Sequence, residues 1–186
     1  MRIAPLRQYL PVVVAIMLAI SVAPALAEHL NLTDRTSPKP QTTNNVPHFQ
    51  IGVEPVPEIS AELLSRVSNI PGLEIGGTTF GIPGAQGFWV SDDIKKARNV
   101  VIAREREFAH MHSDGSLHAY LSPERGNEAV ATGWAIQHPW ANQRQGWEGY
   151  VMIYTPQTGA ELDVVFGLVE ESFNFVTGQN HSAPDN

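Results

Sequence analysis

The chain has 186 residues, with 12 Lys and Arg against 19 Asp and Glu, and no cysteine. A net charge of −7 argues against a nucleic-acid partner, whose binding needs phosphate-neutralising Lys and Arg, and against an anionic membrane surface. Without cysteine there are no disulfides, no thiolate nucleophile and no thiolate-held zinc or iron–sulfur centre, and a chain of this length can bury a core without such staples.

The first 27 residues read as a signal peptide. Arg2 and Arg7 give a positive start, Leu10 to Ile20 is apolar, and Ala25-Leu26-Ala27 has the small-x-small form of a cleavage site. Cleavage after Ala27 predicts a periplasmic or secreted protein. The alternative is an N-terminal anchor, because Tyr9 to Ala27 is nearly long enough to span a bilayer; membrane contact is expected only in that case. Pro11 and Pro24 favour cleavage. Loss of the two arginines would take the net charge to about −9.

Residues 28–57 are rich in Pro, Thr, Asn and Ser and read as a disordered linker. One domain is expected over 58–178, followed by a polar tail over 179–186. Within the domain, Ser60 is the expected N-cap of a first helix, with Leu63, Leu64 and Val67 as its apolar stripe and Pro71-Gly72 as its stop. Short strands are expected at Thr78–Ile82 and Phe88–Val90. A longer strand spans Asn99 to His112. Asp114-Gly115 signals a hairpin over 100–121, and Leu117–Leu121 is the returning strand. Ser122-Pro123 opens a second helix that ends near Gly133. Gly149–Thr155 reads as a strand. Thr158 and Glu161 form a capping box for a last helix, striped by Leu162, Val165, Phe166, Val169, Phe173 and Val176 and stopped by Gly178. Strands and helices mix without regular alternation, which predicts an α+β fold: a mainly antiparallel sheet with helices packed on one face.

Chemistry concentrates between Glu105 and Trp147. Four of the seven histidines (His110, His112, His118, His138) and three of the four tryptophans lie there. On the strand ending at His112, Arg104, Arg106, Phe108, His110 and His112 share one face; Ala103, Glu105, Glu107, Ala109 and Met111 share the other. His118 joins His110 and His112 only if the turn has three loop residues. Two or four would pair His112 with Leu117 and send His118 to the opposite face.

Three uses of the histidines compete. His-x-His followed by a later His is the pattern of cupin-type metal sites, but Glu105 and Glu107 point the wrong way to add a carboxylate, which weakens that reading. One imidazole can instead serve as a general base in a cofactor-free site. The bland alternative is that half-buried histidines tie a hairpin to its surroundings. His110, His112 and His138 are the catalytic candidates, with no metal. Arg106, His118, Tyr120, Trp134, Trp140 and Tyr154 are the candidate substrate contacts. Trp147 and Tyr150 belong to the same aromatic set, which forms either the wall of a pocket for a flat ring or an ordinary core edge. Arg106 holds an anionic substrate or is a charge at the sheet edge.

Taken in order, Arg106, Glu107, Ala109, His110, Met111, His112, Leu117, His118, Gly133, Trp134, His138, Pro139, Tyr154, Pro156, Glu161, Val164, Val165, Glu170 and Ser172 resemble the luciferase domain of bioluminescent fungi and its relatives. The resemblance covers Glu105 to about Thr177. The turn departs from the pattern, since Ser113-Asp114-Gly115 replaces a longer turn that carries another histidine. The resemblance implies an O2-dependent oxidoreductase acting, without a cofactor, on a conjugated enolic or phenolic molecule such as a hydroxylated styrylpyrone. A small aromatic substrate is the expected partner. The alternatives are a non-catalytic small-molecule-binding module and a His-ligated metal-dependent enzyme.

Overall fold

The computed structural model describes residues 31–98 and 106–179. The proposed leader, the first half of the expected long strand and the end of the tail fall outside these residues. The chain divides at Asn31, and the fold set out here is that of the unit from Leu32 onward. Among the described residues, no helix is long and apolar enough to cross a membrane.

Among the described residues, eight strands and three helices follow in the order β1 (Gln41–Thr42), β2 (Gln50–Ile51), α1 (Pro57–Ser68), β3 (Leu73–Gly77), β4 (Gln86–Val90), β5 (Glu107–Met111), β6 (Leu117–Tyr120), α2 (Pro123–Ala131), β7 (Ala135–Gln137), β8 (Tyr150–Ile153) and α3 (Gly159–Thr177). β1 and β2 form a small ribbon. The other six form one sheet in the order β3-β4-β5-β6-β8-β7, antiparallel at every pairing. The fold is α+β, as the element pattern predicts.

Helix starts and stops follow local chemistry. Ser122 accepts from the Arg125 N–H, and Thr158 accepts from the Glu161 N–H, so both expected caps form. Gly178 ends α3 in the left-handed region at φ 72°. Two expectations shift. α1 begins at Pro57 rather than Ser60, because proline is suited to the first helical position. The strand expected over Thr78–Ile82 lies earlier, at Leu73–Gly77; its two glycines, taken for punctuation, pair in the ladder with Gly87 and Gln86.

The sheet has two unlike faces. Ile75, Phe88, Ala109, Ala119 and Val151 are aligned across it and meet the helices. Phe108 reaches Phe173 of α3, their rings 5.6 Å apart, and both are fully buried. Arg125 joins α2 to α3 through a two-pronged pair with Glu171. On the other face, one rung reads Gly76, Gly87, His110, His118, Met152, Ile136.

Residues 32–56, chain expected to be disordered, lie along the domain, and Val46, Pro47 and His48 reach the second face. The Arg35 N–H bonds the Thr132 carbonyl, Trp134 Nε1 donates to the Thr33 carbonyl, and Arg35 and Ser37 both reach Glu161. Gln50 bonds Thr155 at both ends of its amide. The composition of this segment is polar because hydrogen bonds, rather than apolar burial, fix it in place.

Candidate functional site

The hairpin turn decides what shares the second face. The His112 N–H bonds the Ser116 carbonyl, His110 pairs with His118, and Met111 pairs with Leu117. The loop is therefore Ser113-Asp114-Gly115, with three residues, and Gly115 takes φ +83°. This is the register that gathers His110, His112 and His118. His138 enters from the loop after β7. Its ring centroid lies 5.0 Å from that of His118.

A fifth imidazole completes the cluster. His48, from the segment before β2, stacks on His118 at 5.3 Å. All five rings are buried, and neighbouring centroids lie 4.8 to 5.3 Å apart. His48 escaped the sequence reading because it lies outside the dense cluster. The apolar neighbours Val46, Pro47 and Phe49 were its one signal.

Glu107 also belongs here, against the strand parity expected of it. Phe88 pairs with Ala109 while Trp89 pairs with Glu107, so Phe108 is an extra residue on β5. Such a bulge resets the alternation. Phe108 goes to the helices with Ala109, and Glu107 turns to the histidine face. Its Oε1 lies 3.2 Å from His110 Nδ1, off the line that a good hydrogen bond needs. Thr79 donates to Oε2 through both N–H and hydroxyl, and Thr78 donates to Oε1. Burial by itself raises the carboxyl pKa, but the His110 ring and the threonine donors outweigh it, so Glu107 titrates below its ordinary range.

Hydrogen bonds fix several tautomers. Ser116 gives its one hydroxyl proton to Asp114 at 2.7 Å, so toward His112 Nδ1, at 3.0 Å, it acts as acceptor. His112 therefore carries its proton on Nδ1 and a lone pair on Nε2. His138 is the reverse. Its Nδ1 accepts the Trp140 N–H at 3.1 Å, which leaves the proton on Nε2. His118 lies between two partners, with Nδ1 3.2 Å from His110 Nε2 and Nε2 3.2 Å from His48 Nδ1.

The rings are poor proton binders. Desolvation lowers His48 to about 4. Desolvation, then the neighbouring His110, lowers His112 to about 4. Desolvation, with His48 and His110, lowers His138 to about 3. His118 is pushed well below its ordinary value by the same burial and by four imidazole neighbours. At neutral pH these four rings are uncharged.

A cavity of about 120 Å³ opens on the cluster, lined by the five histidines, Trp140, Trp147, Tyr150, Phe80, Ile82, Pro47 and Val46. Phe80 and Val46 are about half exposed and form an apolar rim. Of the candidate substrate contacts, His118 and Trp140 line it. Tyr120 stacks behind Tyr150 at 5.0 Å. Trp134 and Tyr154 flank Arg35, away from the cavity. Arg106 donates to the carbonyls of Val90, Ser91 and Ile94, so its guanidinium holds the loop after β4 rather than facing the histidines. The start of β5 sits beside the end of β4, and those carbonyls, with the Asp92 carboxylate 3.2 Å from Nε, are the acceptors within reach.

Residues 105–172 match the family described as Luciferase domain. The luciferases of Armillaria ostoyae and Armillaria gallica are 30% and 29% identical to this chain, and that of Armillaria mellea is 29% identical. Each alignment takes in 79% of this chain and 62% of the relative, so the chain spans less than two thirds of the length of these relatives. No solved structure matches the chain. The segment that matches contributes four of the five clustered histidines, so residues 105–172, which hold most of the site, are similar to the Luciferase domain, and the chain is similar to the Armillaria luciferases.

Proposed function

We propose that the protein is an oxygenase-type enzyme that takes a small conjugated enol or phenol into the histidine cavity and joins it to O2. The observation that carries this reading is one cavity in which uncharged imidazoles meet aromatic walls and an apolar rim. A flat, conjugated ring suits Trp140, Trp147 and Tyr150. Its acidic O–H suits the inward lone pair of His112 Nε2, whose tautomer is held by Ser116 and Asp114. Nε2–H of His138, an uncharged donor fixed by the Trp140 N–H, suits developing negative charge on oxygen.

The reaction balances with O2 as the only co-reactant. The enol loses its proton to the site. A carbon of the resulting anion forms a C–O bond and is oxidised by two electrons, while O2 is reduced to the peroxide level. Tyr150, fully buried and held in its neutral form, does not compete as an anion. The Armillaria luciferases lend weight to O2 chemistry in this family, with the substrate of this chain part of the proposal. Export through residues 1–27 belongs to the same proposal and rests on the order of charged start, apolar run and Ala-Leu-Ala.

Incubating the chain with hydroxypyrones under 18O2 tests the reading. The expected result is a product carrying label from O2. Tight binding of the same compounds without label or O2 loss would leave a binding module instead.

A further inference from the structure

We infer that His110, His112 and His118 form a site for one divalent first-row transition ion, with Glu107 and Ser116 as the groups that orient two of its ligands. This rests on the oxygenase reading and revises one role in it, because on the ion the His112 Nε2 lone pair is a ligand and no longer the acceptor of the substrate's proton; ion binding itself is measured without substrate.

One ring nitrogen from each of the three lies within 4.8 Å of the others, and His110 Nε2 is 3.2 Å from His118 Nδ1. Imidazoles bound at about 2.0–2.1 Å around a tetrahedral ion place their nitrogens roughly 3.3 Å apart. Small ring movements therefore close the set. Imidazole nitrogens are ligands that zinc, iron, cobalt and copper accept.

The surroundings of the rings point the same way. A metal-bound histidine gives its other ring N–H to a carboxylate, a carbonyl or a similar acceptor. His112 Nδ1–H goes to Ser116, backed by Asp114. His110 Nδ1 faces Glu107, a buried carboxylate. His118 has His48 at its far nitrogen. Among the described residues, His110 Nδ1 is the one buried side-chain nitrogen or oxygen with no hydrogen-bond partner. Its contact with Glu107 is close but misaligned, and drawing Nε2 onto an ion gives the ring a reason to turn Nδ1–H into line.

A second trio, His48, His118 and His138, is also close enough. It is the poorer site, because His138 Nδ1 already accepts the Trp140 N–H. That leaves a proton on Nε2, so neither ring nitrogen offers a free lone pair. His138 remains a donor at the edge of the ion site. The ground for setting a metal aside at the sequence level was that Glu105 and Glu107 face away; Glu105 lies outside the described residues, and the bulge at Phe108 removes that ground for Glu107.

The test strips the full chain with chelator and titrates it with Zn2+ and with Co2+ as a coloured probe. One ion per chain is expected, with ring-15N signals of His110, His112 and His118 shifting together on Zn2+ addition to the wild-type protein. His110→Ala and His118→Ala should abolish stoichiometric binding. Glu107→Gln should weaken it roughly 10–100-fold, and His138→Ala should keep it. Substoichiometric binding, or ring signals that do not move, overturns the inference without relying on any variant. Loss in His138→Ala with retention in His110→Ala moves the ion to the other trio and overturns it too. O2 uptake that is equal in stripped and loaded protein sinks the ion's role while leaving the oxygenase reading standing. Stoichiometric ion without O2 chemistry does the reverse.

Discussion

Oε1 of Glu107 lies 3.2 Å from Nδ1 of His110, a contact that simple strand alternation forbids between residues three apart. The bulge at Phe108 makes it possible. Glu107 is fully buried and takes three threonine donations. Glu107→Gln keeps the shape but replaces an acceptor by a donor amid donors. Hydrogen bonds to charged groups contribute roughly 1.5–3 kcal/mol, and a loss of that order in unfolding free energy is expected. Urea denaturation at neutral pH measures it, and no change in the midpoint would mean that the carboxylate is not held as described.

Acid should destabilise the ion-free protein early. His48, His112 and His138 titrate near 4, 4 and 3 when folded, against about 6.5 when unfolded. Above about pH 6.5 they are neutral in both states and contribute no pH dependence. As pH falls below that value the unfolded chain takes up protons first, so stability drops toward the folded values. Each ring adds a slope of up to about 1.4 kcal/mol per pH unit. Denaturation midpoints measured from pH 7.5 to 4.5 check this, and His48→Ala should flatten the curve. A midpoint that is level between pH 6.5 and 5 would contradict it.

Gly115 sets the register of the hairpin. Its φ of +83° and a Cβ position 2.8 Å from Thr155 Cγ2 leave no room for alanine. Gly115→Ala should cost about 1–3 kcal/mol and lower activity along with stability, because His118 reaches the cluster through this turn. Thermal melts and turnover on the same sample test both effects.

Much of the architecture was legible in the sequence. Ser122, Thr158 and Gly178 mark helix ends because capping is local chemistry. His110 and His112 share a face because strand period is also local. The rest depends on non-local pairing. Asp114-Gly115 fits several loop lengths, and only the partners of His112 and Met111 select one. The bulge at Phe108 exists because Phe108 packs on Phe173, far along the chain. His48 looked like part of a polar linker, since its place is fixed by contacts with His118 and by the Gln50–Thr155 bonds. Arg106 looked like a substrate contact because the carbonyls it holds belong to another strand's end.

That placement of Arg106 separates stability from binding. Arg106→Ala removes donors to Val90, Ser91 and Ile94 and should destabilise the loop after β4 by roughly 1–3 kcal/mol. The Michaelis constant of the folded fraction should stay within about twofold. A selective rise in that constant with unchanged stability would return the guanidinium to the substrate.

The most direct test of the account is O2 consumption by the full chain with a hydroxypyrone, wild type against His112→Ala. The wild type is predicted to consume O2 in proportion to substrate. A folded His112→Ala protein should be slower by roughly a hundredfold or more, because it lacks the Nε2 lone pair that accepts the substrate's acidic proton or, with the ion bound, holds the ion. No uptake above autoxidation in the wild type, or equal rates in the two proteins, would contradict it.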